Sequence, residues 1–218
     1  MAKRRKVGNL LALTLLAQLQ ERPMYPYEMA SLLRERGKDQ AVKINWGSLY
    51  TVVQNLEKNG FIEAVEVVRE GRQPERTTYR ITDEGRAELT DWLRELISEP
   101  EREYTKFEAA LAECAVLSPR ELTGLLKQRL DALEQATAQH ETMLEALEGS
   151  LPRLFLIESE YQLALRRAET EWVREVLKEF TDGTFPGLED WQRFHDTGEL
   201  PDDIQALAQA EREEAADS

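Results

Sequence analysis

Ser48, Thr51, Gln54 and Asn55 fall on one side of the chain if the stretch "NWGSLYTVVQNLEKNGFIEA", residues 45–64, is helical. All four are uncharged hydrogen-bonding residues. Gln and Asn present a paired donor and acceptor that match an adenine edge, and Ser or Thr can meet either a base or a phosphate. Tyr50 adds a hydroxyl suited to phosphate, and the positive end of a helix with its free N–H groups favours the same anion. A helix that enters a DNA groove also needs an apolar back to pack on its own domain, which Leu49, Val52, Val53 and Leu56 supply. Alone, the pattern also fits an ordinary solvated helix.

Basic residues on either side of the stretch favour the groove. Lys3, Arg4, Arg5 and Lys6 form an N-terminal arm suited to following a phosphate backbone. Lys43 and Asn45 precede the helix, with Asn45 a good cap for its start. Arg69, Arg72 and Arg76 surround the turn "EGRQPE", from which they could reach a minor groove, although Glu70 and Glu75 oppose that charge.

The elements that must hold these residues follow from periodicity and punctuation. Leucines 10, 11, 13, 16 and 19 predict a first helix over about 7–20, stopped by Pro23. "MYPYEMASLLRERG" predicts a second helix that starts near Pro26 and ends before Gly37. The third runs over about 45–59 and stops at the Asn-Gly pair 59–60. Residues 61–69 and 76–82 are rich in β-branched and aromatic side chains and predict a hairpin. Three helices followed by a two-stranded wing is the order of a winged helix-turn-helix.

"YPYEMASLL", "GSLYTVVQNLEKNGFIEA" and "RTTYRITDEGRAEL" resemble the PadR family of bacterial transcriptional regulators. The resemblance covers about residues 7–97. Tyr27 matches that family's second-helix tyrosine, and Gly47, Ser48, Leu49 and Tyr50 match its third-helix run. Leu56, Glu57 and Gly60 match the exit, and Tyr79, Thr82 and Gly85 the second wing strand and the helix after it. Where many members have Gly before the second-helix tyrosine, this chain has Pro26. The resemblance implies a dimeric, usually repressing protein that binds a palindrome-like operator in double-stranded DNA, with aromatic effectors for some members. The candidate DNA-contacting set is therefore Lys3, Arg4, Arg5, Tyr27, Lys43, Asn45, Ser48, Tyr50, Thr51, Gln54, Asn55, Arg69, Arg72 and Arg76.

Beyond residue 83 the pattern is helical throughout. "SPRE", with Ser118 as cap, Pro119 at the first helical position and Glu121 three residues on, opens a helix to about Glu148. Leu126, Leu130, Leu133, Thr137, His140, Leu144 and Leu147 form a heptad seam along it. The five leucines of that seam are candidate dimer contacts, and packing inside one subunit is the alternative. A further helix over about 152–180 carries Leu154, Ile157, Tyr161, Ala164, Ala168 and Trp172 on one side, read as its core face. His140, Tyr161 and Trp172 are the candidate residues around a small aromatic effector.

The expected fold class is mainly α: a winged helix-turn-helix DNA-binding domain over 1–98, a helical dimerisation and effector domain over 99–182, and an acidic tail, partly helical or frayed, over 183–218. Residues 1–98 carry 16 basic and 14 acidic side chains, whereas the remainder carries 12 and 28, so the net charge of −14 belongs to the second part. That acidity keeps the second part off polyanions and leaves the winged part free to meet them.

Composition narrows the function class. The single cysteine, Cys114, excludes an intramolecular disulfide framework and fits a reducing, cytoplasmic setting. No apolar run is long enough to span a membrane, and the start is read as carrying no secretory leader. With only His140, His195 and Cys114 as nucleophile or base, and none with a positioned partner in sequence, neither an enzyme, a metal centre nor a cofactor is expected. A winged protein-interaction adaptor without an operator is the rival reading, since an acidic bundle attracts basic partners.

Overall fold

The computed structural model describes residues 5–37, 46–68 and 76–199. The chain divides into two compact units, Met1–Glu103 and Tyr104–Ser218. Among the described residues, no helix is long and apolar enough to cross a membrane.

The first unit runs α1 (Leu10–Leu19), α2 (Pro26–Glu35), α3 (Trp46–Lys58), β1 (Ile62–Val68), β2 (Arg76–Ile81) and α4 (Asp83–Ser98). Local chemistry sets most of these limits. Asn9 Oδ1 accepts from Leu11 N at the start of α1, Pro26 occupies the first turn of α2, and Gly37 and Gly60 take left-handed φ values of 67° and 75° just past α2 and α3. The core gathers Leu11, Leu15 and Leu16 of α1, Met29 and Leu33 of α2, the four apolar side chains of α3, Ile62, Ile81, and Leu89 with Trp92 of α4. Leu49, Val52, Val53 and Leu56 are at most 4% exposed. Burial of each such side chain stabilises the unit by about 1.5–3 kcal/mol.

The wing is a two-stranded antiparallel sheet. Ile62 faces Ile81 and Ala64 faces Tyr79, after which Val65 is an extra residue that shifts the register to Glu66 opposite Thr78. Tyr79 also forms an antiparallel bridge with Met24, each N–H donating to the other's carbonyl at 2.9–3.0 Å, so the α1–α2 connection is stitched to β2.

One junction joins α3, the wing and α4. Thr82 Oγ1 donates to Gly60 O at 2.6 Å and accepts from Gly85 N at 3.0 Å, capping α4, and Thr82 N donates to Phe61 O at 3.1 Å. Gly85 is buried directly against that carbonyl, where an added Cβ would lie 2.0 Å from Phe61 O and 2.9 Å from Ile81 Cγ1.

The second unit contains α5 (Lys106–Ala112), α6 (Pro119–Leu147), α7 (Ile157–Asp182) and α8 (Leu188–Thr197), with short 3₁₀ turns at Cys114–Val116 and Arg153–Phe155. Ser118 Oγ accepts from Glu121 N at 3.2 Å, as a capping serine should. The long helices α6 and α7 pack antiparallel, burying Leu122 and Leu126 against Val173 and Leu177. Of the stretch 183–218, expected to be partly helical or frayed, residues 188–197 form α8 and residues 200–218 lie outside the described residues. Gly183 ends α7 in a left-handed conformation, and α8 folds back so that Trp191 packs on Phe180 and Phe185. Trp191 Nε1 and His195 Nε2 both reach Ala115 O, at 3.3 and 3.0 Å.

Replacing Gly85 by Ala forces a methyl group into a backbone carbonyl that cannot move alone. Overpacking of this kind costs about 1–3 kcal/mol. Thermal unfolding should show a lower midpoint for the winged unit, and an unchanged midpoint would refute the close approach.

Candidate nucleic-acid interface

The buried back of α3 fixes the direction of its front. Tyr50, Thr51, Gln54 and Asn55 are exposed and Ser48 is half-buried, so the helix presents hydroxyls and side-chain amides on the side away from the core. Tyr27, on the first turn of α2, is exposed too. At the C-terminal end of α3, Tyr79 Oη lies 3.5 Å from Glu57 Oε2, and burial followed by the Glu57 charge pushes the Tyr79 pKa up. A phenol held protonated there is a neutral brace between wing and helix.

Lys3, Arg4, Lys43, Asn45, Arg69 and Arg72 lie outside the described residues, as does the side chain of Arg76, whose backbone opens β2. Arg5 departs from the expectation of an arm free to follow phosphate. Its side chain is 4% exposed and turns inward to a row of carboxylates on α4: Glu88 at 2.8 Å, Asp91 at 3.3 Å and Glu95. The guanidinium also stands 5.3 Å from the centre of the buried Trp92 ring. Three acids at positions 88, 91 and 95 share one helix face, which is the signal in the sequence that such a cation was required.

In the second unit the seam residues Leu126, Leu130, Leu133, Leu144 and Leu147 lie along the side of α6 that carries His140 toward α7. Leu126 is 2% exposed, and Leu130 and Leu133 pack on the same in-chain core. The face of α7 read as its core is turned outward instead. Tyr161 is 64% and Trp172 42% exposed, Trp172 making an edge contact with Phe107, while Leu163, Thr170, Val173 and Leu177 take the inner side. His140 is buried and bonded to α7's inner face. The three residues proposed around an effector therefore do not converge on one cavity. Cys114 is half-buried beside the aromatic cluster, and no group of metal-ligating side chains occurs among the described residues.

Residues 15–91 match the model of the transcriptional regulator PadR-like family. A probable transcriptional regulator from Mycobacterium tuberculosis is 32% identical over 88 residues, a stretch that covers 38% of this chain and 43% of that relative's length. The fold resembles that of Bacillus subtilis PadR crystallised with operator DNA, at 22% identity and a TM-score of 0.63, covering 79% of this chain and 99% of the other. The same regulator with p-coumaric acid gives 20% identity and 0.66 with equal coverage. The Vibrio cholerae virulence activator AphA gives 22% and 0.59, covering 79% and 98%.

Loss of the Arg5 guanidinium leaves Glu88, Asp91 and Glu95 facing one another across a part-buried surface. Arg5→Ala should lower the thermal midpoint of the winged unit by the equivalent of about 1–3 kcal/mol, the worth of charge-assisted hydrogen bonds. Arg5→Lys should recover only part of it, because an ammonium cannot fork between two carboxylates. Full recovery by Lys, or no loss with Ala, would contradict this role.

Proposed function

We propose that this chain, whose residues 15–91 match the transcriptional regulator PadR-like family, acts as a dimeric repressor of that family and reads a palindrome-like operator with the exposed face of α3. The observation that carries the reading is the division of α3 into a fully buried aliphatic back and an outward row of Ser48, Thr51, Gln54 and Asn55. In this scheme Gln54 and Asn55 read base edges, Tyr50 and Tyr27 meet phosphate, and Lys43 and Asn45 approach the backbone ahead of the helix. Arg69, Arg72 and Arg76 extend the wing toward a minor groove, with Lys3 and Arg4 as the arm beyond the Arg5 anchor. The cytoplasm, where DNA is accessible, is the proposed location.

Two-fold symmetry in the protein calls for half-sites about one helical turn, roughly 34 Å, apart or near a multiple of it. Leu126, Leu130 and Leu133 of the α6 seam pack within the chain, and we place the subunit contact on the outer face of α7. Ile157, Tyr161, Leu165 and Trp172 are exposed there at spacings of four and seven, an apolar stripe that a second copy would cover. A small aromatic effector is proposed by analogy with the p-coumaric acid complex. Such a compound regulates only if it favours one spacing of the two readers over another.

Several phosphate contacts make log K fall steeply with log salt, so binding of fragments selected from random DNA should weaken by orders of magnitude between 50 and 200 mM salt. A flat response would favour an adaptor. Gln54→Ala should reduce discrimination between selected and random DNA, whereas Arg72→Ala should lower affinity for both alike.

Light scattering coupled to gel filtration tests the subunit contact. The unaltered chain should elute as a dimer at micromolar concentration, and Leu165→Glu should convert it to a folded monomer. A monomeric parent, or a variant that remains dimeric, would remove α7 from that role.

A further inference from the structure

Guanidinium–carboxylate pairs run along the α6–α7 hairpin. Arg129 pairs with Glu169, Arg167 with Glu141 and Arg174 with Glu134. Arg166 breaks the pattern: among the described residues it has no carboxylate at ion-pair distance. Its Nη1 donates instead to Nδ1 of His140 at 2.8 Å and lies 3.5 Å from the carbonyl of Ala136.

That one contact fixes the state of the imidazole. A ring nitrogen that accepts from a guanidinium carries no proton, so the proton of the neutral ring resides on Nε2, where it is donated to Ser159 Oγ at 2.6 Å. His140 is 9% exposed, and both nitrogens are engaged. From α7 the groups that face it are Ser159 and the Arg166 cation. The nearby carboxylates are already taken, Glu141 on α6 by Arg167 and Glu160 on α7 by Arg153. The ring nitrogens bond to Ser159 and Arg166, and the charge that acts on the ring is the Arg166 cation.

We propose that His140, Arg166 and Ser159 form a proton-operated catch that holds the two long helices together at neutral pH and loosens them on acidification. Uptake of a proton at Nδ1 removes the acceptor used by Arg166 and sets an imidazolium against a guanidinium with little water between them. Burial, and after it the Arg166 charge, holds the His140 pKa below its ordinary value. The unfolded or opened chain, with a histidine pKa of about 6.5, then binds the proton more readily than the closed hairpin. The stabilising effect of the neutral ring is complete above that pH and is lost as pH falls toward the folded-state pKa. The catch acts within the second unit and does not depend on whether the chain binds DNA.

Hydrogen exchange on the full chain between pH 7.5 and 5.5, corrected for intrinsic rates, provides the test. Amide protection over 136–144 and 159–167 should fall by up to about tenfold per pH unit below the ordinary histidine pKa, the slope of a single linked proton. His195→Gln, which removes the only other histidine, should follow the parent. His140→Gln keeps an amide donor and acceptor but cannot titrate, and it should show no such slope. A flat parent, or a His140→Gln profile that matches a sloping parent, would overturn the proposal. If His140→Gln weakens the hairpin at every pH, titration of the His140 ring by NMR decides. Its pKa should lie below 6.5 and rise in Arg166→Met, and a pKa that is ordinary or unmoved by that change would sink the catch.

Discussion

Leu49, Val52, Val53 and Leu56 occupy one side of α3 and are sealed by α1 and α2, and this burial decides where the polar side chains of the helix must point. Rotating α3 to hide Gln54 and Asn55 would expose four aliphatic groups and strand two amides without water. The outward row is thus maintained by what lies behind it. The same core takes in Ile62, Ile81, Leu89 and Trp92, so helix, wing and α4 share one interior.

The junction of Gly60, Phe61, Thr82 and Gly85 gives each of these residues a place in the backbone. Gly60 turns the chain out of α3 with a positive φ, Thr82 binds both the carbonyl of Gly60 and the start of α4, and Gly85 lets α4 approach the Phe61 carbonyl. Each performs a backbone task that a different side chain would obstruct or leave undone. The wing consequently leaves α3 at a set angle, and the Met24–Tyr79 bridge fixes its other edge.

Much of this architecture is legible from residue order because the signals are local. Asn9, Pro26, Ser118 and the glycines at 37 and 60 mark helix ends by side-chain or backbone chemistry that acts within a few residues. The exposed front of α3 is legible for the same reason, since its spacing and its apolar back are both written in thirteen residues. What escapes is set by distant partners. Arg5 looks like one more charge in a basic run, and only the acids of α4, more than eighty residues away, draw it inward. The Trp191 helix reads as tail because Gly183, Pro186 and Gly187 precede it, yet the aromatic rings of Phe180 and Phe185 give it a surface to close on. The orientation of α7 fails differently: its aromatic side is the more conspicuous in sequence and is the one left in contact with solvent.

A helix that is greasy on opposite sides has a degenerate docking problem, since either side could be offered to its neighbour at similar gain. Ser159 and Arg166 remove that degeneracy, because only one orientation of α7 delivers a donor and an acceptor to the two nitrogens of His140. Three polar side chains within the contact between α6 and α7 thus act as a key, selecting among arrangements that oiliness alone would leave nearly equal.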